Sequence, residues 1–253
     1  MPDSNPTQDL LDGLVTEGSH LFVAATGSVD RVDGMDVQVF LGLFAKASRT
    51  LQAITLLYQH RLGNEALALQ RSLLEAVVHF KLLAEEVETT PRSQRYCQFS
   101  KIQLMKFARA LSSTKGLEHF TKAADDFDPD QVEQTLKDEL GEEEFKKLKN
   151  APHWFGNLET ACEEVGLKQD YVMCARLGSR ALHATDYDEY VVESETTFSL
   201  GRDDKWLEAV MSSSCRLFTI LLGSVNATFE LGRESEMKTL LDRAETLHRR
   251  IGG

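Results

Sequence analysis

Between Glu65 and Glu88 the chain carries Leu67, Leu69, Leu73, Leu74, Val77, Val78, Phe80, Leu82 and Leu83, so apolar side chains surround most of a helix's circumference. A helix that is apolar nearly all round is buried centrally among other elements. The flanking sequence offers helices. From Asp36 to Leu62, apolar residues fall at Phe40, Leu43, Phe44, Ala47, Leu51, Ile54, Leu57 and Tyr58. Steps of three and four mark a helix with one buried face. Leu62-Gly63-Asn64 is a tight stop, and Asn64 reads as the N-cap of the following helix. The short link makes the two an antiparallel hairpin.

The rest of the chain repeats the helical period. Leu10, Leu11, Leu14 and Val15 suggest a short amphipathic helix. Pro91 to Thr114 is a further helix, with Tyr96, Phe99, Ile102, Met105, Ala108 and Leu111 on one side. Asp128 is an N-cap with Pro129 at the first helical position, opening a polar helix whose stripe is Val132, Leu136, Leu140, Phe145 and Leu148. Trp154, Leu158, Ala161, Cys162 and Val165 outline a helix stopped by Gly166, and residues 169–183 another. Asp203 or Asp204 caps a long apolar helix through Trp206 to Val225. The last helix carries Met237, Leu240, Leu241, Ala244 and Leu247. No alternating strand pattern and no repeat is visible. The expected fold is all-α: a single helical bundle of four or more long helices over residues 1–253. Its core lies at about 36–250, with a peripheral acidic helical insertion at about 117–150.

Charge narrows the partners. The chain has 40 acids against 28 bases, a net of −12. Residues 118–150 hold 11 acids and 5 bases, and residues 184–210 hold 8 acids and 2 bases, so these two stretches account for the whole excess. An acidic balance argues against broad binding to a phosphate backbone and leaves a protein partner at the acidic surface as the better expectation. Cys97, Cys162, Cys174 and Cys215 have no CxxC spacing and sit in apolar stretches, so buried free thiols and a cytoplasmic location are expected. The polar start Met1-Pro2-Asp3-Ser4-Asn5-Pro6 has no basic or apolar region, so no signal peptide is expected. The run Leu217 to Phe229 is short of the ~20 residues that span a bilayer, so no membrane association is expected.

Two constellations could carry chemistry. Arg71, Glu75 and His79 stand at four-residue spacing along one strip of the most apolar helix. A charged side chain in such surroundings needs a partner, either an internal salt bridge or a ligand. Further on, Arg176, Ser179 and His183 share a face, with Arg180 beside them. A histidine of near-neutral pKa next to a guanidinium could serve acid–base chemistry on a phosphodiester, with His183 as acid or base, Arg176 stabilising charge and Ser179 orienting. The bland reading is a capping histidine with surface arginines. A metal site drawing on Glu75, His79, His183 and His60 would lack the paired Glu-x-x-His of di-iron bundles, since Glu245 and His248 have no mate. No metal or cofactor is expected. There is no GxGxxG, Walker A loop, HExxH, GxSxG or zinc-ribbon spacing.

The segment Asn64-Glu65-Ala66-Leu67-Ala68-Leu69-Gln70-Arg71-Ser72-Leu73-Leu74-Glu75 looks like an A-x-x-L-x-R-S-x-x-E helix. Trp154, Gly166-Leu167, Tyr171 and Ser179-x-x-x-His183 follow it. This order resembles a bacterial family catalogued only as a domain of unknown function, number 5677, over roughly residues 36–225. The resemblance implies that Arg71, Glu75, Ser179 and His183 are matching polar positions that meet inside the bundle. The candidate binding residues are Arg71, Glu75, His79, Arg180 and Tyr171.

More loosely, the layout is similar to HEPN domains. Those are helical bundles, often dimeric, found in toxin–antitoxin and antiviral defence systems. Many are metal-independent ribonucleases with an Arg-x(4–6)-His motif, which Arg176 and His183 match at its upper edge. That likeness implies a homodimer. The acidic stretch after His183 disfavours RNA. The leading expectation is therefore a non-catalytic interaction or sensor module. The alternatives are a HEPN-like ribonuclease or toxin using Arg176 and His183, and an enzyme acting on a small molecule or through a metal at Arg71, Glu75 and His183.

Overall fold

The computed structural model describes residues 6–28, 37–85, 92–116, 127–182, 191–193, 198–200 and 206–252. These form α1 (Pro6–Thr26), α2 (Val37–Gln59), α3 (Gly63–Ala84), α4 (Arg92–Ser113), α5 (Pro129–Leu140), α6 (Glu142–Asn150) and α7 (Leu158–Glu164). A continuous helical stretch then runs through α8 (Lys168–Asp170), a π-helix (Tyr171–Arg176) and α9 (Leu177–Leu182). Strands β1 (Val191–Glu193) and β2 (Phe198–Leu200) precede α10 (Leu207–Thr228) and α11 (Glu234–Gly252). The fold is all-α apart from that ribbon, which pairs antiparallel with Val192 opposite Ser199. Its strands are three residues each, too short for a period of two to show in sequence.

The chain divides into two compact units, one of residues 1–85 and 159–253 and the other of residues 86–158. In the first, α3 packs against α2, α9 and α10, and α10 also packs against α1, α2 and α11. Leu73, Leu74, Val77, Val78 and Phe80 of α3 are fully buried, as its all-round apolar sequence requires. The ring of Phe40 on α2 meets Phe80 edge-on, with centroids 5.0 Å apart. The buried amide of Gln70 donates from Nε2 to the Val210 carbonyl at 3.0 Å and to the Ser213 hydroxyl, so a polar group inside the core also ties α3 to α10.

Several helix starts differ from the sequence reading. Asn64 lies within the first turn of α3, and the N-cap is Leu62. Arg61 takes a positive φ of 59°, and the Leu62 amide bonds back to the Leu57 carbonyl, which reverses the chain two residues early. Trp154 precedes α7 rather than opening it, because Pro152 and the positive φ of Gly156 (93°) interrupt the helical path. Trp206, not an aspartate, is the N-cap of α10, and Asp203 and Asp204 lie outside the described residues. α1 is a 21-residue helix rather than a short one.

In the second unit, Asp128 caps α5, as its sequence indicates. Its carboxylate accepts from the Asp130 and Gln131 amides at 2.9 and 3.2 Å, with Pro129 in the first turn. Gly141, at φ 77°, divides the acidic stretch into α5 and α6. Leu136, Phe145 and Leu148 are buried, and both helices pack on α4, which buries Ile102 and Met105.

α4 holds five basic residues and no acid. Arg109 bonds Asp130 at 2.6 Å and also Glu133, and Arg95 bonds Glu144 at 2.7 Å. The bond from Arg109, opposed by burial and reinforced by Lys137 and Lys149, pulls the Glu133 carboxyl from its ordinary 4.5 down to about 2. A depressed folded pKa contributes stability that is present above the unfolded value and lost as pH falls through the folded one. The Glu133→Gln variant should therefore melt below wild type at pH 7. The gap should close between pH 4.5 and 2, followed by circular dichroism melts at stepped pH. A gap that is constant with pH would count against this pairing.

Candidate functional site

Arg71 and Glu75 face each other one turn apart on α3. Arg71 donates from Nε to Glu75 Oε1 at 3.0 Å, and the two side chains are 27% and 23% exposed. Arg71 also donates from Nη1 to the hydroxyl of Ser179 on α9. One guanidinium thus bridges an acid on its own helix and a hydroxyl on the next. The planar fork of arginine makes such double use natural, where a lysine would offer only a point charge.

Gly178 explains how α9 comes this close. A Cβ there would stand 2.7 Å from the Leu67 carbonyl oxygen and 3.2 Å from the Arg71 Cβ. Only a glycine lets the α9 backbone rest on α3 and bring Ser179 within reach of Arg71.

The π-helix before α9 is anchored from below. Asp170 is buried, and its Oδ1 accepts from Arg216 on α10. Single-turn π segments are often found at functional sites. Two buried thiols lie in the same neighbourhood. Burial above all, then the charges of Asp170, Glu75 and Glu159, pushes the Cys162 thiol up to about 12. Burial, with Asp170 raising and Arg216 lowering, carries Cys174 well above the ordinary thiol range. Cys215 is raised by burial to about 12. At neutral pH all three are protonated, so none is an activated nucleophile.

The structure therefore joins Arg71, Glu75 and Ser179, while Arg176 points elsewhere. Arg176 is 62% exposed, meets Glu159 at 3.5 Å and lies 5.7 Å from the centroid of the half-buried Tyr171 ring. Arg176 is the last residue of the π-helix, where the turn is wider than the 3.6-residue period from which a shared face with Ser179 is read. Arg180 is exposed on α9, and His79 is half-buried one turn beyond Glu75. His183 lies outside the described residues. His248 Nδ1 is 3.2 Å from the Ser212 hydroxyl. Among the described residues no group of three or more His, Cys, Asp or Glu is placed to hold a metal ion.

Sequence reasoning missed Asp170, Arg216, Glu159 and Gly178. The first three are joined across long stretches of chain and have no local signature. Gly178 carries a signal, since a glycine inside a helical pattern points to close packing.

The family model described as a family of unknown function, DUF5677, matches residues 37–198, well over half of the chain. The chain belongs to that family, and the match includes Arg71, Glu75, Gly178 and Ser179. Neither a curated protein nor a solved structure matches the chain. No helix among the described residues is long and apolar enough to cross a membrane.

Gly178→Ala should push α9 off α3 and lower stability by about 1–3 kcal/mol, the usual cost of overpacking. Thermal unfolding checks this, with Gly42→Ala as control because nothing lies within 4 Å of a Cβ there. A Gly178→Ala protein that melts with wild type would show that the approach is not tight in solution.

Proposed function

We propose that this protein is a non-catalytic interaction or sensor module in which Arg71 locks α9 and the π-helix against α3. The observation that carries this reading is the double engagement of one guanidinium by Glu75 and Ser179. An arginine that stabilises a transition state must be aimed at the developing charge. Arg71 is instead neutralised by an adjacent carboxylate and tied to a hydroxyl. What the lock holds in place is a surface. Val172 and Met173 of the π-helix are 47% and 40% exposed, beside Arg176. Apolar side chains next to an arginine are the composition of a protein-binding patch, and the partner they fit is another protein surface, a second copy of the chain included.

The lock predicts energetic coupling. Arg71→Ala and Ser179→Ala should each destabilise by about 1–3 kcal/mol, as for hydrogen bonds to charged groups. The double variant should lose less than the sum by about 0.5 kcal/mol or more. Denaturant unfolding of the four proteins measures this, and strictly additive losses would remove the lock.

The ribonuclease reading draws its support from the exposure of Arg176. It makes a separate prediction: the purified protein cleaves RNA, and His183→Ala abolishes cleavage with the melting temperature unchanged. Absence of cleavage by wild type, or cleavage retained in His183→Ala, removes it.

A further inference from the structure

A groove of about 350 Å³ runs between α1 and α2, away from the Arg71 cluster and sharing none of its residues. Val15, Phe22 and Val23 of α1 and Ala45 and Arg49 of α2 form its walls, and Phe218 of α10 lies at its floor. Val15 and Val23 are 38% and 70% exposed, an uncommon display of branched apolar side chains at the rim of one cleft. The floor is aromatic. The Phe218 ring stacks on Phe44 with centroids 6.2 Å apart, and Phe44 lies 5.9 Å from Phe22. Gly18 makes this possible, since a Cβ there would stand 3.3 Å from the Phe218 ring.

The polar side chains of the groove are Ser19, Ser48, Arg49 and the exposed Gln52. The hydroxyls of Ser19 and Ser48 are spent on their own helices, donating to the Val15 and Phe44 carbonyls at 2.9 Å. Each keeps acceptor lone pairs but has no donor left for a ligand. Arg49, by contrast, is exposed, and no hydrogen bond or ion pair engages its side chain among the described residues. The same holds for Lys46, one turn earlier. These are the only charged residues of α2, which has no acid at all in a protein with 40 acids and 28 bases. Both cations also line a second, shallower groove of about 380 Å³ on the other side of α2, together with Ala45. They stand on a positive ridge with an apolar slot beside it.

We propose that this slot binds a single-chain amphipathic carboxylate, of the medium-chain fatty acid class. Its hydrocarbon tail would lie between α1 and α2 against the rings of Phe22 and Phe218, and its head group would accept hydrogen bonds from Arg49. The volume is at the small end of ligand pockets, roughly 300–1,000 Å³, which suits one short chain. A largely apolar lining with a few polar groups, here the serines, Gln52 and Arg49, is the usual composition of such sites, and an unengaged guanidinium is the donor best matched to a carboxylate.

Decanoate titrated into the full chain by isothermal calorimetry, below its micellar concentration, tests the proposal. Saturable one-to-one binding is expected. Octanoate should bind more weakly, by up to about fourfold for each methylene lost. Decanol, which has the tail without the charge, should bind about tenfold more weakly or worse, and decyltrimethylammonium more weakly still. Arg49→Glu should lower decanoate affinity by about tenfold or more at an unchanged melting temperature, because Arg49 holds no partner to lose. Ala45→Trp, which fills the slot, should abolish binding. No saturable decanoate binding overturns the proposal, as does decanol binding as tightly as decanoate. Undiminished affinity in the folded Arg49→Glu protein overturns it as well, whatever becomes of the tryptophan variant.

Discussion

A helix that is apolar around most of its circumference is the constraint on which the first unit depends. α3 buries Leu73, Leu74, Val77, Val78 and Phe80 completely, so water can be kept from it only if neighbours stand on several sides. α2, α9 and α10 take those places. Each solves a different contact problem. α2 presents Phe40 edge-on to Phe80. α10 accepts the amide of Gln70. α9 comes against the stretch that carries Leu67 and Arg71, where Gly178 removes the side chain that would keep the two backbones apart. The polar seam on α3 follows from this arrangement. Arg71 and Glu75 neutralise each other at its margin, and the hydroxyl of Ser179 completes the pairing from the arriving helix.

What the sequence disclosed and what it hid divide along the range of the interaction responsible. The burial of α3, the Asp128–Pro129 start and the pairing of Arg71 with Glu75 are set by residues within one or two turns of each other, and all were legible. The partners of Asp170 and of Arg71 on another helix are not local. Arg216 lies 46 residues from Asp170, and Ser179 lies 108 residues from Arg71. Ser179 was nominated twice, by its spacing from Arg176 and His183 and by its place in a family pattern, and only the second joined it to Arg71. The face shared by Arg176 and Ser179 was inferred from a uniform α-helical period. The π-helix ending at Arg176 breaks that period, and the structure gives Arg176 to Glu159 instead. Asn64 was favoured as a cap by its residue type, but the turn at Arg61 starts the helix before it.

Charge tells a similar story at larger scale. The acidic stretch around residues 118–150 suggested a solvated negative surface awaiting a partner. Much of what is described of it instead faces α4, whose charged residues are all basic, and Arg95 and Arg109 are committed to Glu144, Glu133 and Asp130. Part of the acidity of this unit is therefore internal complementarity, with correspondingly less of it left for a partner. Regional net charge alone cannot show this, since it counts a paired and an unpaired carboxylate alike.

The same comparison gives α2 its significance. An ion pair at a surface is worth little, roughly 0–1 kcal/mol, so stability does not require that every cation find an acid. Yet in a chain where acids outnumber bases, a 23-residue helix with two cations and no acid is a local inversion of the prevailing field. Arg109, Arg233 and Arg216 each meet acids on other elements. Lys46 and Arg49 meet none among the described residues, and Arg49 lines a slot floored by the Phe218 ring, which stacks on Phe44. The positive ridge and the slot thus meet at Arg49, and together they suit a ligand that carries a tail and a charge.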